Sequence, residues 1–333
     1  MNKSTIWAII IILVLIIGGV WMSKKPVAPV ASEPIKIGVI APLTGVVADY
    51  GEEIRKGAMA GAAGKNVELV YEDDKCDPKE AVSAFQKLTG FQKISFLIGP
   101  ACGSPQEAIV PLLNNQKILA LVPAAASADL YQKSGNNFFN IQYSLQDEST
   151  FIANKMYELG YKNVALISYG NAFSQAHADA FRAAFKGKIV IESKLLDDSS
   201  DVSTEIAKIN LAKVDAIYSP DISFFFASGL SKLRQQKVAV PVFSTYVVEL
   251  PAVRALVSDV FYSYPAGMAD AEAAVFGLTR EATALLTDNV VACAGDYECV
   301  KDKLISSSKF NDSGVYQRDL ILKQIKDGVP VKL

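Results

Sequence analysis

The chain has 333 residues, half of them apolar, with 33 basic against 35 acidic side chains and a single histidine. That length and apolar content support two domains, each with its own core, and exclude a disordered tail. The near balance of charge, with no basic stripe, gives no electrostatic footing for nucleic acid.

The first five residues precede an uncharged apolar run, Ile6 to Met22, which reads IWAIIIILVLIIGGVWM and is flanked by Lys3, Lys24 and Lys25. It is near the lower limit of what crosses a bilayer, and it is expected to enter the membrane. A cleaved signal would have a shorter apolar region and small residues at the cleavage positions, whereas Pro29 and Ala31 fit an A-x-A pattern badly. No cysteine follows to take a lipid. An uncleaved anchor over residues 6–22 is therefore preferred to a processed signal, with residues 1–5 cytoplasmic. Residues 23–34, rich in proline and alanine, form an extended spacer. The globule starts near Ile35, outside the cytoplasm.

Short β-branched runs then alternate with helical patterns. IKIGVIA (Ile35–Ala41) is a strand, a helical pattern runs from about Gly51, and VELVYED (Val67–Asp73) is the next strand. Helix PKEAVSAFQKLTG, strand ISFLIGP, helix PQEAIVPLLNNQ and strand ILALVPA follow. FNIQYSLQDES (Phe139–Ser149) has no strong period and separates a second series: helix DESTFIANKMYELG, strand NVALISYG, helix FSQAHADAFRAAFKG, strand KIVIESKLL, helix STEIAKINLAK, strand VDAIYSP, helix FFFASGLSKLRQQK and strand AVPVFST. Such alternation predicts βαβ units. Two series of equal grammar predict an α/β protein of two doubly wound parallel-sheet lobes, and ligands of open parallel sheets sit beyond the carboxyl ends of the strands. The cleft between the lobes is the expected site.

Four cysteines in an oxidising compartment favour pairing, and the obvious pairs are Cys76 with Cys102 and Cys293 with Cys299. A metal site is poorly supported, because His177 is the only histidine and no C-x-x-C spacing occurs. A cysteine nucleophile would lack its base. His177 itself, in AFSQAHADAF, reads as a surface residue on a helix face.

The strongest chemical signal is GPACGSPQEA, Gly99 to Ala108, which follows a strand and opens a helix with Ser104 as its cap and Pro105 at the first helical position. Free amides and the helix dipole make that terminus a seat for an anion such as a carboxylate; an ordinary βα turn is the bland alternative. One unit later, PAAASADL offers small side chains and a cap candidate in Ser127. Tyr50 precedes a helix and is placed either over a ligand or in the core. In the second series YGNAFSQ puts Phe173 at a helix start, SPDISFFF offers Asp221, and FSTYVVE offers Tyr246 and Glu249. The run Phe224 to Phe226 reads as helix-packing core. The glycines of GAMAGAAG, Gly57 to Gly64, read as close packing. G-x-S-x-G, a Walker P-loop, H-E-x-x-H and a full G-x-G-x-x-G are absent, so the chain is expected to hold a molecule and not to transform it.

From about Ile35 onward the chain resembles the periplasmic binding proteins of branched-chain amino acid ABC transporters, the leucine/isoleucine/valine-binding family. The resemblance rests on IKIGVIAPLTGVVADYGEEIRKGAMAG, on YEDDKCDPKEAV, and on FLIGPACGSPQEA followed by ILALVPAAAS. It implies a Cys76–Cys102 disulfide and a periplasmic binding protein type I fold with a three-segment hinge, with further crossovers near Tyr262 to Ala266 and near DLILKQIKDG. Lobe one would then comprise residues 35–143 plus 265–315, and lobe two residues 144–264 plus 316–333. Carried over residue by residue, ligand contacts fall at Tyr50, Ala101, Cys102, Gly103, Ala124, Ala126, Phe173, Asp221 and Tyr246. The chain departs from the family where Gly103, with Ser104 beside it, replaces a hydroxyl for the carboxylate. It departs again where Ala126, with Ser127 beside it, replaces a threonine for the ammonium, and where Tyr246 replaces the ammonium-pairing acid. The resemblance implies an extracytoplasmic solute-binding protein of an ABC importer that takes an amino acid or related carboxylate without cofactor or metal. Its partners would be permease and ATPase subunits, and its membrane contact the N-terminal segment. A ligand-sensing module of a membrane-anchored receptor is the alternative, and an extracytoplasmic enzyme the more distant one.

Overall fold

The short apolar runs become buried strands because helices cover both faces of the sheets they form. A computed structural model describes residues 2, 7, 33–127, 129–195, 202–220, 224–268 and 273–333. The expected membrane segment over residues 6–22, apart from Trp7, lies outside these residues, and so does Asp221. Among the described residues no helix is long and apolar enough to cross a membrane.

The first series comprises β1 (Ile35–Ala41), α1 (Ala48–Ala62), β2 (Val67–Asp73), α2 (Pro78–Gln86), β3 (Phe96–Ile98), α3 (Gly103–Gln116), β4 (Leu119–Val122), α4 (Leu130–Lys133) and β5 (Phe138–Asn140). Its five strands pair in parallel in the order β2-β1-β3-β4-β5. Alternation along each strand sends side chains to opposite faces. Ile37, Val39, Ile98 and Leu121 pack with Ile54 and Ala58 of α1, while Ile40, Leu97, Ala120 and Val122 pack with Phe85 of α2 and Ile109 and Leu113 of α3. Strand order reverses between β1 and β3, so the loops that leave these two strands part and open a crevice there.

The second series comprises α5 (Leu145–Glu158), β6 (Asn163–Tyr169), α6 (Ala172–Ala184), β7 (Lys188–Leu195), α7 (Ser203–Ala212), β8 (Ala216–Tyr218), α8 (Phe224–Gln235), β9 (Val242–Ser244), α9 (Pro251–Arg254), β10 (Val260–Pro265), α10 (Ala274–Ala292), α11 (Tyr297–Ile305), β11 (Leu320–Lys326) and β12 (Val329–Lys332). Seven strands form the sheet β12-β11-β10-β9-β8-β6-β7. It is not wholly parallel. β11 runs antiparallel to β10, and β12 folds back on β11 through Asp327 and Gly328, both at positive φ (47° and 74°), as a tight hairpin turn of matching twist requires.

The chain passes three times between the two sheets: after β5, after β10 and before β11. Between the last two passages α10 lies along α1, with glycines at the meeting line. A Cβ on Gly57 would stand 2.5 Å from the carbonyl oxygen of Phe276, and one on Gly61 would stand 2.4 Å from that of Arg280. Only hydrogen fits there.

Helix starts follow capping chemistry. Asp77 accepts from the amides of Lys79 and Glu80 at 2.8 and 3.1 Å ahead of Pro78, and Ser144 forms a reciprocal capping box with Asp147. α3 starts earlier than its sequence suggests. Cys102, not Ser104, is the cap residue, and its side chain makes no capping hydrogen bond. Pro105 then lies third in the helix, where its missing N–H still costs nothing because first-turn amides have no partner within the helix. At α4 the cap position is Asp129 and not Ser127.

Candidate functional site

Two loops at the β1/β3 reversal build the first-lobe side. After β1, the Asp73 carboxylate accepts from the amides of Leu43 and Thr44 (2.8 and 3.3 Å) and from the Thr44 hydroxyl (2.5 Å). This ties the loop to the end of β2 and sets Tyr50 near the crevice. After β3, Gly99 has φ +88°, and a Cβ there would sit 2.2 Å from the carbonyl oxygen of Ile40. The Gln106 amide donates back to the Pro100 carbonyl at 3.2 Å, so the turn that carries Ala101 to Ser104 is held by its own helix. Cys76 and Cys102 are bonded with their Cα atoms 5.5 Å apart, and Cys293 is bonded to Cys299. In the chain-entropy account, a loop like the first adds roughly 3 to 4 kcal/mol to stability.

The second-lobe side begins at α6. Asn171 caps that helix by accepting from the Ser174 amide at 2.8 Å, and the Ser174 hydroxyl accepts from the Tyr169 amide at 2.8 Å. The tips of α3 and α6 therefore face each other. The position of a Cβ on Gly103 lies 3.7 Å from the Phe173 amide nitrogen and 3.8 Å from the Ala172 Cβ. Between the tips is a cavity of about 70 Å³, lined by Tyr50, Cys76, Ala101, Cys102, Gly103 and Ser104 from one side and by Asn171, Ala172 and Phe173 from the other. Among the described lining residues none carries a formal charge. Two helix N-termini add partial positive potential from both sides.

Tyr246 stands behind the lining residue Tyr50, its hydroxyl 3.5 Å from that of Tyr50. Burial pushes Tyr50 up to about 12 and Tyr246 well above the ordinary tyrosine value, so both remain neutral hydroxyl groups able to donate or accept. The structure thus brings together Tyr50, Ala101, Cys102, Gly103, Ser104 and Phe173, with Tyr246 behind them. Ala124, Ala126 and Ser127 do not line the cavity. Ala124 and Ala126 are buried, and the Ala126 carbonyl accepts from the Leu145 amide at 3.2 Å; Ser127 meets the Gln146 amide at 3.4 Å. Glu249 is occupied elsewhere by the Tyr262 hydroxyl (2.5 Å), the Ala274 amide (3.2 Å) and Lys323 (3.5 Å).

Three residues escaped the sequence reading. Asn171 and Ala172 stand in YGNAFSQ, where asparagine before an apolar pattern is an N-cap signal. Glu148, inside FNIQYSLQDES, is buried and takes the Tyr246 amide at 3.4 Å; nothing local distinguishes it from a solvated helix acid. His177 is a correction. It is fully buried, its ring 4.5 Å from that of Phe173, because Phe173, His177 and Phe181 recur every four residues on the inner face of α6. Among the described residues no group of histidine, cysteine or acidic side chains is placed to hold a metal.

Two lobes built on mainly parallel sheets and crossed three times, with a cavity between opposed helix tips whose described lining is uncharged, define the two-lobed architecture of a binding protein. Residues 34–274 match the family described as periplasmic binding protein, and the chain belongs to that family. Its relatives are binding proteins, not enzymes, and membership implies an extracytoplasmic location. The Leu/Ile/Val-binding protein BraC3 of Rhizobium johnstonii is 31% identical over 205 residues, 57% of this chain and 55% of the relative. The Leu/Ile/Val-binding protein of Escherichia coli K12 is 24% identical over 201 residues, 56% of this chain and 54% of that one. The matched stretch thus spans about half the length of these relatives. Among solved structures, a leucine-binding protein LivK from Thermotoga maritima superposes with a TM-score of 0.80 at 18% identity, covering 90% of this chain and 97% of the other. A solute-binding protein of an ABC transporter from R. palustris, in complex with benzoate, does so with 0.79 at 19%, covering 90% and 95%.

Proposed function

We propose that the chain is the solute-binding protein of an ABC importer, that it captures a small carboxylate in the interlobe cleft, and that residues 6–22 tether it to the membrane. The observation that carries this reading is the lining of the cavity: amides at two helix tips favour a negative end, and no acid among the described lining residues offers an ammonium group a partner. An unpaired ammonium is costly to bury. Aromatic and aliphatic carboxylates are therefore favoured over α-amino acids, in keeping with the benzoate complex of the R. palustris protein; amino acids are the second reading, favoured by the names of the curated relatives.

In this account the carboxylate rests against the amides of Gly103 and Ser104, Phe173 covers it from the second lobe, and the Tyr50 and Tyr246 hydroxyls meet its far end. Closure by hinge rotation then presents a joined surface to permease subunits whose ATPases drive uptake. The test is a thermal-shift and calorimetric panel of amino acids, benzoate, hydroxybenzoates and aliphatic carboxylates. A ligand at a hundred times its Kd stabilises by about 2.7 kcal/mol. Gly103→Glu places a carboxylate where the ligand's would lie and is expected to abolish the shift; an undiminished shift in that variant would move the ligand elsewhere.

A further inference from the structure

Phe173 of the second-lobe wall and Tyr246, which meets the lining through Tyr50, rest on two buried groups that touch no part of the cavity. Glu148 Oε1 accepts from the Tyr246 amide (3.4 Å), the Tyr143 hydroxyl (3.4 Å) and the Ser263 hydroxyl. Its other oxygen, Oε2, faces Nε2 of His177 at 3.5 Å, and neither atom has another partner among the described residues. On the far edge of the imidazole, Nδ1 is 2.7 Å from the Ser149 hydroxyl and 3.5 Å from that of Tyr218. Phe173 packs on the same ring.

The groups that face Glu148 are His177 of α6, Tyr143 of the first crossover, Tyr246, Ser263 of β10, Tyr218 of β8 and Tyr50 of α1. Burial raises every tyrosine among them and holds His177 down near 3, so none of these groups is a cation at neutral pH. A lone buried charge is expensive, and the group neutralises instead. Three donors already converge on Oε1. The proton belongs on Oε2, where the facing acceptor among the described residues is Nε2 of His177.

We propose that Glu148, protonated on Oε2, donates to Nε2 of His177, that loss of one proton switches the imidazole from its Nδ1–H to its Nε2–H tautomer, and that this pair positions Tyr246 and Phe173 in the cleft wall. Protons balance along the line of contacts. The Oε2 proton passes to Nε2, the Nδ1 proton is given up to hydroxide or buffer base in the medium, and the imidazole stays neutral while the carboxyl becomes a carboxylate. Below the transition Nδ1–H donates to the Ser149 oxygen; above it the Ser149 hydroxyl donates to Nδ1. Glu148 and His177 are positioning residues, since neither lines the cavity. Their role in the wall rests on the cleft reading above.

The chain has one histidine, so its imidazole signals need no assignment. With imidazole-¹⁵N-labelled, tag-free protein and no added ligand, we expect Nδ1 protonated at pH 6 and Nε2 protonated at pH 10. The midpoint should fall near the value of about 8 to which burial raises Glu148, and the Tyr246 amide resonance should follow the same curve. Glu148→Gln, whose amide donates to Nε2, should hold the Nδ1–H tautomer throughout. A single tautomer from pH 6 to 10 in the parent protein, an imidazolium at pH 6, or a switch that survives in Glu148→Gln would overturn the pair. A Tyr246 amide that ignores the transition would overturn its positioning role. Should Glu148→Gln fail to fold, the parent profile and Ser149→Ala, expected to move the midpoint, still decide. Because no ligand is used, failure here is separate from failure of the carboxylate reading.

Discussion

The first-lobe wall of the cleft is mostly main chain, where Ala101 to Ser104 present a turn beside Tyr50 and Gly103 adds no side chain, whereas the opposite wall carries the Phe173 ring, with Tyr246 behind the lining against Tyr50, both set on a buried glutamate and histidine. The first wall is fixed locally, by one glycine turn, one glutamine and one disulfide. The second is fixed at long range, by residues from the first crossover, α6 and β10. A wall of amides suits the invariant end of a ligand, and a wall of side chains suits the end that sets specificity.

This contrast can be broken from either side. The largest effect is expected behind the second wall. Lys323 is 1% exposed and sits 3.5 Å from Glu249 and 3.4 Å from the Tyr264 ring centre. Glu249→Ala removes one side of this buried ion pair and should cost about 3 to 5 kcal/mol, read as a lowered denaturant midpoint; a loss below about 1 kcal/mol would show that the segment Tyr246–Glu249 is held by packing alone.

On the first wall, Cys102→Ser should cost about 3 kcal/mol in oxidising buffer and nothing further in reductant, where the parent protein has already lost the bond. Equal losses under both conditions would show that the thiol's packing mattered and the bond did not.

Next in size are the pH effects, which separate the walls by window. Burial raises Asp74, behind the first-lobe loops, to about 6, and Glu148 to about 8. Each folded-state value lies above its unfolded one, so the folded protein holds a proton that the unfolded chain has released. Stability then falls as pH rises from the unfolded value to the folded one, and is flat beyond. Asp74→Asn should remove a fall of about 1 to 3 kcal/mol between roughly pH 4 and 6, leaving the decline toward pH 8 intact. A decline lost over the whole range would assign both windows to one group. The smallest effect is Ser104→Ala, which should change stability by less than about 0.5 kcal/mol and weaken carboxylate binding a few-fold in calorimetry. A hundred-fold loss would make the hydroxyl, and not the amides, the anchor.

Legibility followed the same division. Strands β1 to β4 and β6 to β9, the disulfide pairs and the packing glycines of α1 are legible because β-branched runs, cysteine parity and glycine spacing are local or periodic signals, whereas β5, β10 and β12 carry no such run. The start of α3 was misplaced because Ser104 and Pro105 imitate a cap and first turn, while the loop needed Cys102 in extended geometry for its bond to Cys76. The inward turn of His177 was missed although Phe173 and Phe181 flank it at helical spacing, because a lone imidazole was weighed as a polar residue. The β11–β12 hairpin carries a turn signal in Asp327-Gly328, but the crossover expected from the resemblance covers the same residues and masks it. Glu148 had no local signal at all: its burial comes from Tyr246 and Ser263, about a hundred residues away.

The glycine seam between α1 and α10 has a consequence in time. Lys65, just past α1, donates to the carbonyl of Ala284, 219 residues further along. At translation rates of 5 to 20 residues per second, the two surfaces meet only on the order of 10 to 40 s after the first has been synthesised. Five strands and four helices of the first lobe must wait, one layer uncovered, until the last quarter of the polypeptide has been made.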